Sequence, residues 1–129
     1  MSTRSKAKWG SATTIIPKEE WSDFLKDFSR MHEGWLTTLE TNDLVTREIV
    51  ESHETPLQSI ELDLEDEKNP RINVIVRLDN KELKHILFLP SHMTLETSEG
   101  GWRESLDIET VNTKTRIRLR PQGELLPVI

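Results

Sequence analysis

Apolar residues recur at steps of three and four in one segment near the N-terminus, and at alternate positions through most of the remaining chain. The first pattern lies in P-K-E-E-W-S-D-F-L-K-D-F-S-R-M-H-E-G, residues 17–34. Its apolar residues share one helical face: Trp21, Phe24, Leu25, Phe28 and Met31. Pro17 suits the first helical position and Gly34 suits the C-terminal end. We predict an amphipathic helix that buries an aromatic face.

After Gly34 the period of two is typical of strands, and short polar turns interrupt it. The predicted strands are residues 35–41, 44–52, 57–65, 71–78, 83–89, 93–97, 102–110 and 113–120. Residues 83–89 are apolar on both faces, which predicts a central strand. One helix cannot cover so many strands. We therefore predict an α+β fold with one N-terminal amphipathic helix and about seven or eight antiparallel strands, which form a curled sheet, a small barrel or a roll.

The chain has 129 residues, which is the size of a single domain. We interpret residues 1–14 as a flexible N-terminal tail, because they are small, polar and basic. Residues 15–120 form the predicted domain. Residues 121–129 form an apolar C-terminal tail, which we expect to cover part of the sheet or to contact a neighbouring subunit.

Four segments carry a family resemblance: residues 16–35, 56–63, 83–90 and 105–110. Their most recognisable residues are Trp21, Phe28, His32, Gly34, Trp35, Pro56, Leu57, His85, Pro90 and the L-D-I of residues 106–108. Together they resemble a family of small bacterial proteins that is described only as a domain of unknown function. The resemblance covers about residues 15–120. It implies a bacterial source, and it implies no activity, no cofactor and no catalytic residue.

Composition narrows the classes of function. The net charge of -6 disfavours general coating of nucleic acids, since phosphate contacts need clustered Lys and Arg. The absence of cysteine removes disulfides, thiolate catalysis and cysteine-based zinc sites. No apolar run approaches the roughly 18 residues of a membrane span, and no hydrophobic region follows the basic N-terminus. We expect a cytoplasmic protein without membrane contact.

Three arginines alternate with aliphatic residues in the last predicted strand, which contains T-R-I-R-L-R-P. They are Arg116, Arg118 and Arg120. Because side chains alternate across a strand, the arginines face one way while Ile117 and Leu119 face the core. Residues 60–65, I-E-L-D-L-E, show the same alternation with acidic side chains. We predict that 116–120 pairs with 61–65 as a charge ladder that helps to fix register.

A basic face for a nucleic acid or another polyanion is the alternative for the same strand. It requires that the arginines be unpaired and lie near a further cation: Arg71, Arg77 or Arg103. Its affinity would fall steeply with salt. Trp102 and Arg103, beside the turn at Gly100 and Gly101, are the other candidate binding residues of this region.

His85 is the candidate residue for chemistry of a different class. We expect a hydrogen-bonded core histidine; the alternative is a small-ligand-binding barrel or an enzyme with a site near His85, which needs a polar cluster and a cavity of a few hundred cubic ångströms. The four histidines lack H-x-H and H-x-x-x-H spacing, so we expect no metal. Ser91 and His92 are adjacent and would point to opposite faces of a strand, so we expect no nucleophile–base pair.

These patterns favour a non-catalytic protein-interaction module over an enzyme. No G-x-S-x-G elbow, phosphate loop or dinucleotide fingerprint is present, and no cofactor is expected. The partner would be another protein or a second copy of the chain, so a homodimer is one expected form. The candidate binding residues are Arg116, Arg118, Arg120, Trp102, Arg103 and His85.

Overall fold

The computed structural model describes residues 12–97 and 104–123. One helix and nine strands occupy this part of the chain, which confirms an α+β fold built mostly from antiparallel strands. The elements are β1 (Ala12–Ile15), a 3₁₀ turn (Lys18–Glu20), α1 (Trp21–Met31), β2 (Leu36–Asp43), β3 (Ile49–Glu51), β4 (Thr55–Asp63), β5 (Arg71–Leu78), β6 (Lys81–Phe88), β7 (His92–Thr97), β8 (Glu104–Glu109) and β9 (Thr113–Arg120).

The strands form one hydrogen-bonded series in the order β1-β7-β8-β9-β2-β4-β5-β6, and β3 pairs with β2. Strand β4 links two parts of the sheet, because its start pairs with β2 and the remainder pairs with β5. Within the described ranges no ladder joins β1 to β6, so the sheet is not closed there.

A single buried cluster lies between the helix and both parts of the sheet. Leu25 of α1, Ile60 of β4, Val74 of β5, Leu106 of β8 and Ile117 of β9 all belong to it, and each is at most 1% exposed. One cluster therefore collects side chains from the helix and from both parts of the sheet. Burial of such aliphatic side chains stabilises the fold by about 1.5–3 kcal/mol each.

Helix α1 buries the aromatic face that its periodicity predicts. Trp21, Leu25 and Phe28 are buried, and Trp21 Nε1 donates a hydrogen bond to the Ile16 carbonyl at 2.8 Å. Met31, in the last turn, is exposed instead of buried. The chain then reverses at Gly34, whose φ of +86° is a left-handed conformation that favours glycine. The predicted end of the helix is therefore confirmed.

Two strand boundaries differ from the prediction. Strand β1 begins at Ala12, inside the segment interpreted as a tail, and pairs with β7. Its four residues are too few to show an alternating pattern. Strand β2 continues through Asp43, so the turn between the predicted strands 35–41 and 44–52 comes just after residues 42–43 and not at them. Asp43 still initiates it, because its Oδ1 accepts hydrogen bonds from the backbone N–H groups of Val45 and Thr46, which hold the pKa of the carboxyl below its usual value.

No helix in the described part of the chain is long and apolar enough to span a membrane.

Candidate functional site

Arg116 is held by the neighbouring strand β8. Its Nε and Nη2 donate to the two carboxylate oxygens of Asp107 at 2.8 and 2.9 Å, and Glu96 lies 3.9 Å from Nη2. Asp107 is only 7% exposed. The hydrogen bond to this carboxylate raises the pKa of Arg116 further above its usual value. The pair is therefore a bidentate ion pair with a largely buried acid.

Arg118 and Arg120 find their carboxylates on the other side of β9. Arg118 Nη2 donates to Glu40 at 2.8 Å, and its Nη1 lies 3.5 Å from Glu51. Arg120 donates through Nε and Nη2 to both oxygens of Glu54, at 2.7 and 2.8 Å. All three arginines of β9 therefore have acidic partners.

The predicted pairing of residues 116–120 with residues 61–65 is wrong. Strand β9 lies between β8 and β2, with Arg116 opposite Asp107 on one side and Glu40 on the other. Residues 61–63 pair with β5 instead, where Asp63 accepts a hydrogen bond from Arg71 at 2.8 Å. A short turn joins β8 directly to β9, so the local hairpin decides the partner, and not the matching charge pattern of β4.

The requirements of a polyanion face are not met by the described arginines. Each arginine of β9 is paired, and a phosphate would have to compete with carboxylates already in contact. Arg71 and Arg77 lie on β5, in the other part of the sheet, where Arg77 donates to Gln58 at 2.7 Å. Trp102 and Arg103 lie outside the described residues.

His85 lies on β6, on the core-facing side opposite Val74, and is half-buried. It borders a groove of about 270 Å³ lined by Thr41, His85, Ile86, Leu87, Phe88, Thr110, Asn112 and Thr113. Burial lowers the pKa of the His85 imidazole. Among the described residues, no carboxylate and no second histidine lines this groove, so these residues offer a hydrogen-bonding surface and not an acid–base pair.

Ser91 and His92 do meet, contrary to the prediction. Ser91 Oγ lies 3.0 Å from His92 Nδ1, because Ser91 precedes β7 and strand alternation does not apply to it. The carboxylate of Glu109 is 3.7 Å from the same nitrogen. In a catalytic triad the hydroxyl and the acid contact different ring nitrogens. This exposed cluster therefore lacks the geometry of a proton relay.

The described residues contain no group of three or more His, Cys, Asp or Glu side chains that could hold a metal ion.

The edge of the sheet at β6 is the feature that the sequence interpretation missed. Strand β6 was predicted to be central, but among the described residues it pairs only with β5. Three of its apolar side chains are exposed: Leu83, Ile86 and Phe88 are 41%, 38% and 58% exposed, and Leu89 follows. The other exposed side chains of the strand are charged: Lys81, Glu82 and Lys84. An apolar edge strand is a ready template for another strand.

Strands β4, β5 and β6 lie side by side, and α1 covers the edge of this group at β4. Strand β4 leaves β2 after Pro56, and the helix packs along it. Ser29 Oγ accepts a hydrogen bond from the Ile60 N–H at 2.8 Å and donates one to the Ile60 carbonyl at 3.0 Å. The helix thus supplies to β4 the polar groups that a neighbouring strand would supply. No comparable cover lies on β6 within the described residues.

Replacing Ser29 with alanine is expected to lower the free energy of unfolding by about 1 kcal/mol, because it removes both hydrogen bonds to Ile60. The matched control is Ser22→Ala, an exposed serine two turns earlier on the same helix, for which a change within about 0.5 kcal/mol is expected. Urea unfolding followed by tryptophan fluorescence measures both. Equal stability of the two variants would mean that Ser29 does not stabilise this edge.

Asn73 places a buried polar atom next to the open edge at β6. It lies opposite Ile86 on the outer face of the sheet and is only 6% exposed. Its Oδ1 is buried and accepts no hydrogen bond from the described residues. A buried carbonyl without a donor costs about 1–3 kcal/mol, so such atoms normally have partners.

These features define a class: an α+β domain with an antiparallel sheet that is not closed within the described residues, an internally neutralised charged face and one open edge with exposed apolar side chains. A family model described as a family of unknown function, DUF5335, matches residues 12–128. The chain belongs to this family. The match begins at β1 and extends beyond β9, so it covers more of the chain than residues 15–120. No match was found among curated proteins or among solved structures.

Proposed function

We propose that this chain is a non-catalytic protein-interaction module whose contact surface is the open edge at β6. The contrast between the two edges of β4-β5-β6 carries the proposal. Ser29 and α1 cover the β4 edge, whereas Leu83, Ile86 and Phe88 lie exposed along the β6 edge. The natural ligand of such an edge is an extended segment of a protein, which adds main-chain hydrogen bonds and buries alternate side chains.

The chemistry of the partner follows from the groups on this edge. It presents apolar residues to Ile86 and Phe88. A polyanion would instead need free cations, and the arginines of β9 are paired with carboxylates. In this proposal the sheet acts as an open roll, with β6 as its free edge.

The expected compartment is the cytoplasm, because the chain contains no cysteine with which to form the disulfides common in secreted domains.

The proposal predicts that a single charge on the edge abolishes partner capture. Wild-type protein, an Ile86→Lys variant and a Val45→Lys control are immobilised and exposed to a lysate of the source cells. Val45 is a more exposed apolar residue that lies outside β6, in the turn after β2. We expect one defined protein, or the chain itself, to be retained by wild type and control and lost from Ile86→Lys.

Cross-linking then locates the captured chain. Lysine-reactive reagents are expected to join it to Lys81 or Lys84, the lysines of β6. Retention of the same proteins by Ile86→Lys, or cross-links confined to other lysines, would contradict a contact surface at β6. Far-UV circular dichroism confirms that each variant is folded before it is compared.

A further inference from the structure

We infer that the strand added to β6 is β6 of a second copy of this chain, paired antiparallel so that His85 lies on the twofold axis. The inference rests on the proposed function, because it names the partner for the same edge. Two features of β6 support it. One is which of its residues direct their backbone hydrogen-bonding groups towards the open edge, and the other is which charges each register would bring together.

The phase of β6 determines which residues can pair across the open edge. The turn at Asp79 and Asn80 joins β5 to β6, and Leu78 pairs with Lys81. At the far end, the Leu89 N–H donates to the Pro70 carbonyl, so the odd-numbered residues direct their backbone groups towards β5. The even-numbered residues direct theirs to the open edge: Glu82, Lys84, Ile86 and Phe88. A symmetric pair must match even positions with even positions.

Symmetric registers centred on Lys84 or His85 satisfy this condition and pair most of the strand, residues 81–87 and 82–88 respectively. Registers centred on Leu83 or Ile86 pair only residues 81–85 or 84–88. Charge distinguishes the two longer registers. Centring the axis on Lys84 places two ammonium groups opposite each other, which is destabilising. Centring it on Ile86 places Lys84 opposite Phe88 of the second copy, whose neighbour on β5 is the like-charged Arg71. It also places Glu82 opposite Pro90, which has no N–H to donate. Both registers therefore bring unfavourable pairs together.

Centring the axis on His85 brings no like charges opposite each other. Glu82 lies opposite Phe88 of the second copy, whose neighbour on β5 is the cation Arg71. Lys84 lies opposite Ile86 of the second copy, whose neighbour on β5 is Asn73. The aliphatic stem of Lys84 covers Ile86 of the second copy. Leu83 meets Leu87 of the second copy on the core-facing side.

The two His85 residues form a non-hydrogen-bonded pair in this arrangement, with Cα atoms about 4.5 Å apart. The residues that line the groove beside His85 carry no charge. The imidazole is partly removed from water already, and burial favours its neutral form. Two neutral rings are compatible with close approach on the axis.

Single cysteines test partner and register together, because the chain has no native cysteine. Full-length Lys84→Cys, His85→Cys and Ile86→Cys variants are oxidised and resolved on non-reducing gels. Each would self-cross-link only in the register centred on that residue. We expect the disulfide-linked dimer of His85→Cys to form at least about tenfold faster than the other two, since only that pair meets the Cα distance a disulfide needs.

Sedimentation of the unmodified chain supplies the second measurement. Ile86→Lys and, independently, Phe88→Lys are each expected to raise the dimer dissociation constant about 100-fold, whereas Val45→Lys leaves it unchanged. A monomeric wild type, a dimer unaffected by both edge substitutions, or faster cross-linking at Lys84→Cys or Ile86→Cys would overturn the inference. If the chain is monomeric yet captures another protein through Ile86, the interaction module stands and self-pairing fails. If it captures nothing, both fail.

Discussion

Replacing His32 with alanine is expected to lower the free energy of unfolding by about 2–4 kcal/mol. The imidazole is only 3% exposed, and its ring packs against Phe28 and Trp35 at centroid distances of 4.2 and 4.5 Å. Its Nδ1 donates to the Phe28 carbonyl at 2.7 Å, and its Nε2 lies 3.3 Å from Glu104. Alanine leaves a cavity between two aromatic rings and removes both polar contacts.

Replacing His32 with phenylalanine separates the contribution of ring packing to stability from the contribution of the polar contacts. His32→Phe keeps a ring beside Phe28 and Trp35 but has no group for the Phe28 carbonyl or for Glu104, so we expect a smaller loss of about 1–2 kcal/mol. His53→Ala is the control, since that side chain is exposed, and should change stability by less than about 0.5 kcal/mol. Urea unfolding gives all three values. An effect of His32→Ala no larger than that of His53→Ala would rule out the structural role.

His32 also shows which features of a residue the local sequence pattern predicts and which it does not. Its place at the end of the helix, next to the C-terminal carbonyls, follows from the sequence, because imidazole favours the negative end of the helix dipole. Its contact with Glu104 of β8 does not follow from the sequence, because Glu104 lies far along the chain and is brought to α1 only by the tertiary fold. No periodicity within α1 signals such a contact.

The alternation of apolar and polar residues predicted most of strands β2 to β9, because a strand with one face in the core and one face in water alternates in this way. The same reasoning failed at β6 for a physical reason. Apolar residues on both faces of a strand indicate that both faces are covered, but they do not distinguish a neighbour in the same chain from one in a partner. The structure places β6 at an edge, with Ile86 and Phe88 exposed.

The partners of the arginines were predictable only in part. Strands β8 and β9 are joined by a short turn, so hairpin pairing alone would have placed Asp107 opposite Arg116. Arg118 and Glu40 are 78 residues apart, and only the return of β9 to β2 brings them together. The alternating acids of β4 were a misleading match, because a charge pattern does not determine which strands become neighbours.

Replacing Arg116 with leucine is expected to lower the free energy of unfolding by about 2 kcal/mol, within the range for hydrogen bonds to charged groups. The substitution leaves the carboxylate of Asp107, which is 7% exposed, without its bidentate partner. Arg118→Leu is the matched control on the same strand and face. Its partners Glu40 and Glu51 are more exposed, so we expect a loss of less than about 1 kcal/mol.

A double-mutant cycle with Asp107→Leu isolates the pair. Removing both charges should recover part of the loss, because the buried carboxylate is then absent, and the expected coupling is about 1–2 kcal/mol. Small and equal losses at Arg116 and Arg118, with no coupling to Asp107, would instead describe arginines that are free in solution. That result would return β9 to the polyanion alternative, which binding of single-stranded DNA at two salt concentrations would then test, since counterion release requires a steep loss of affinity.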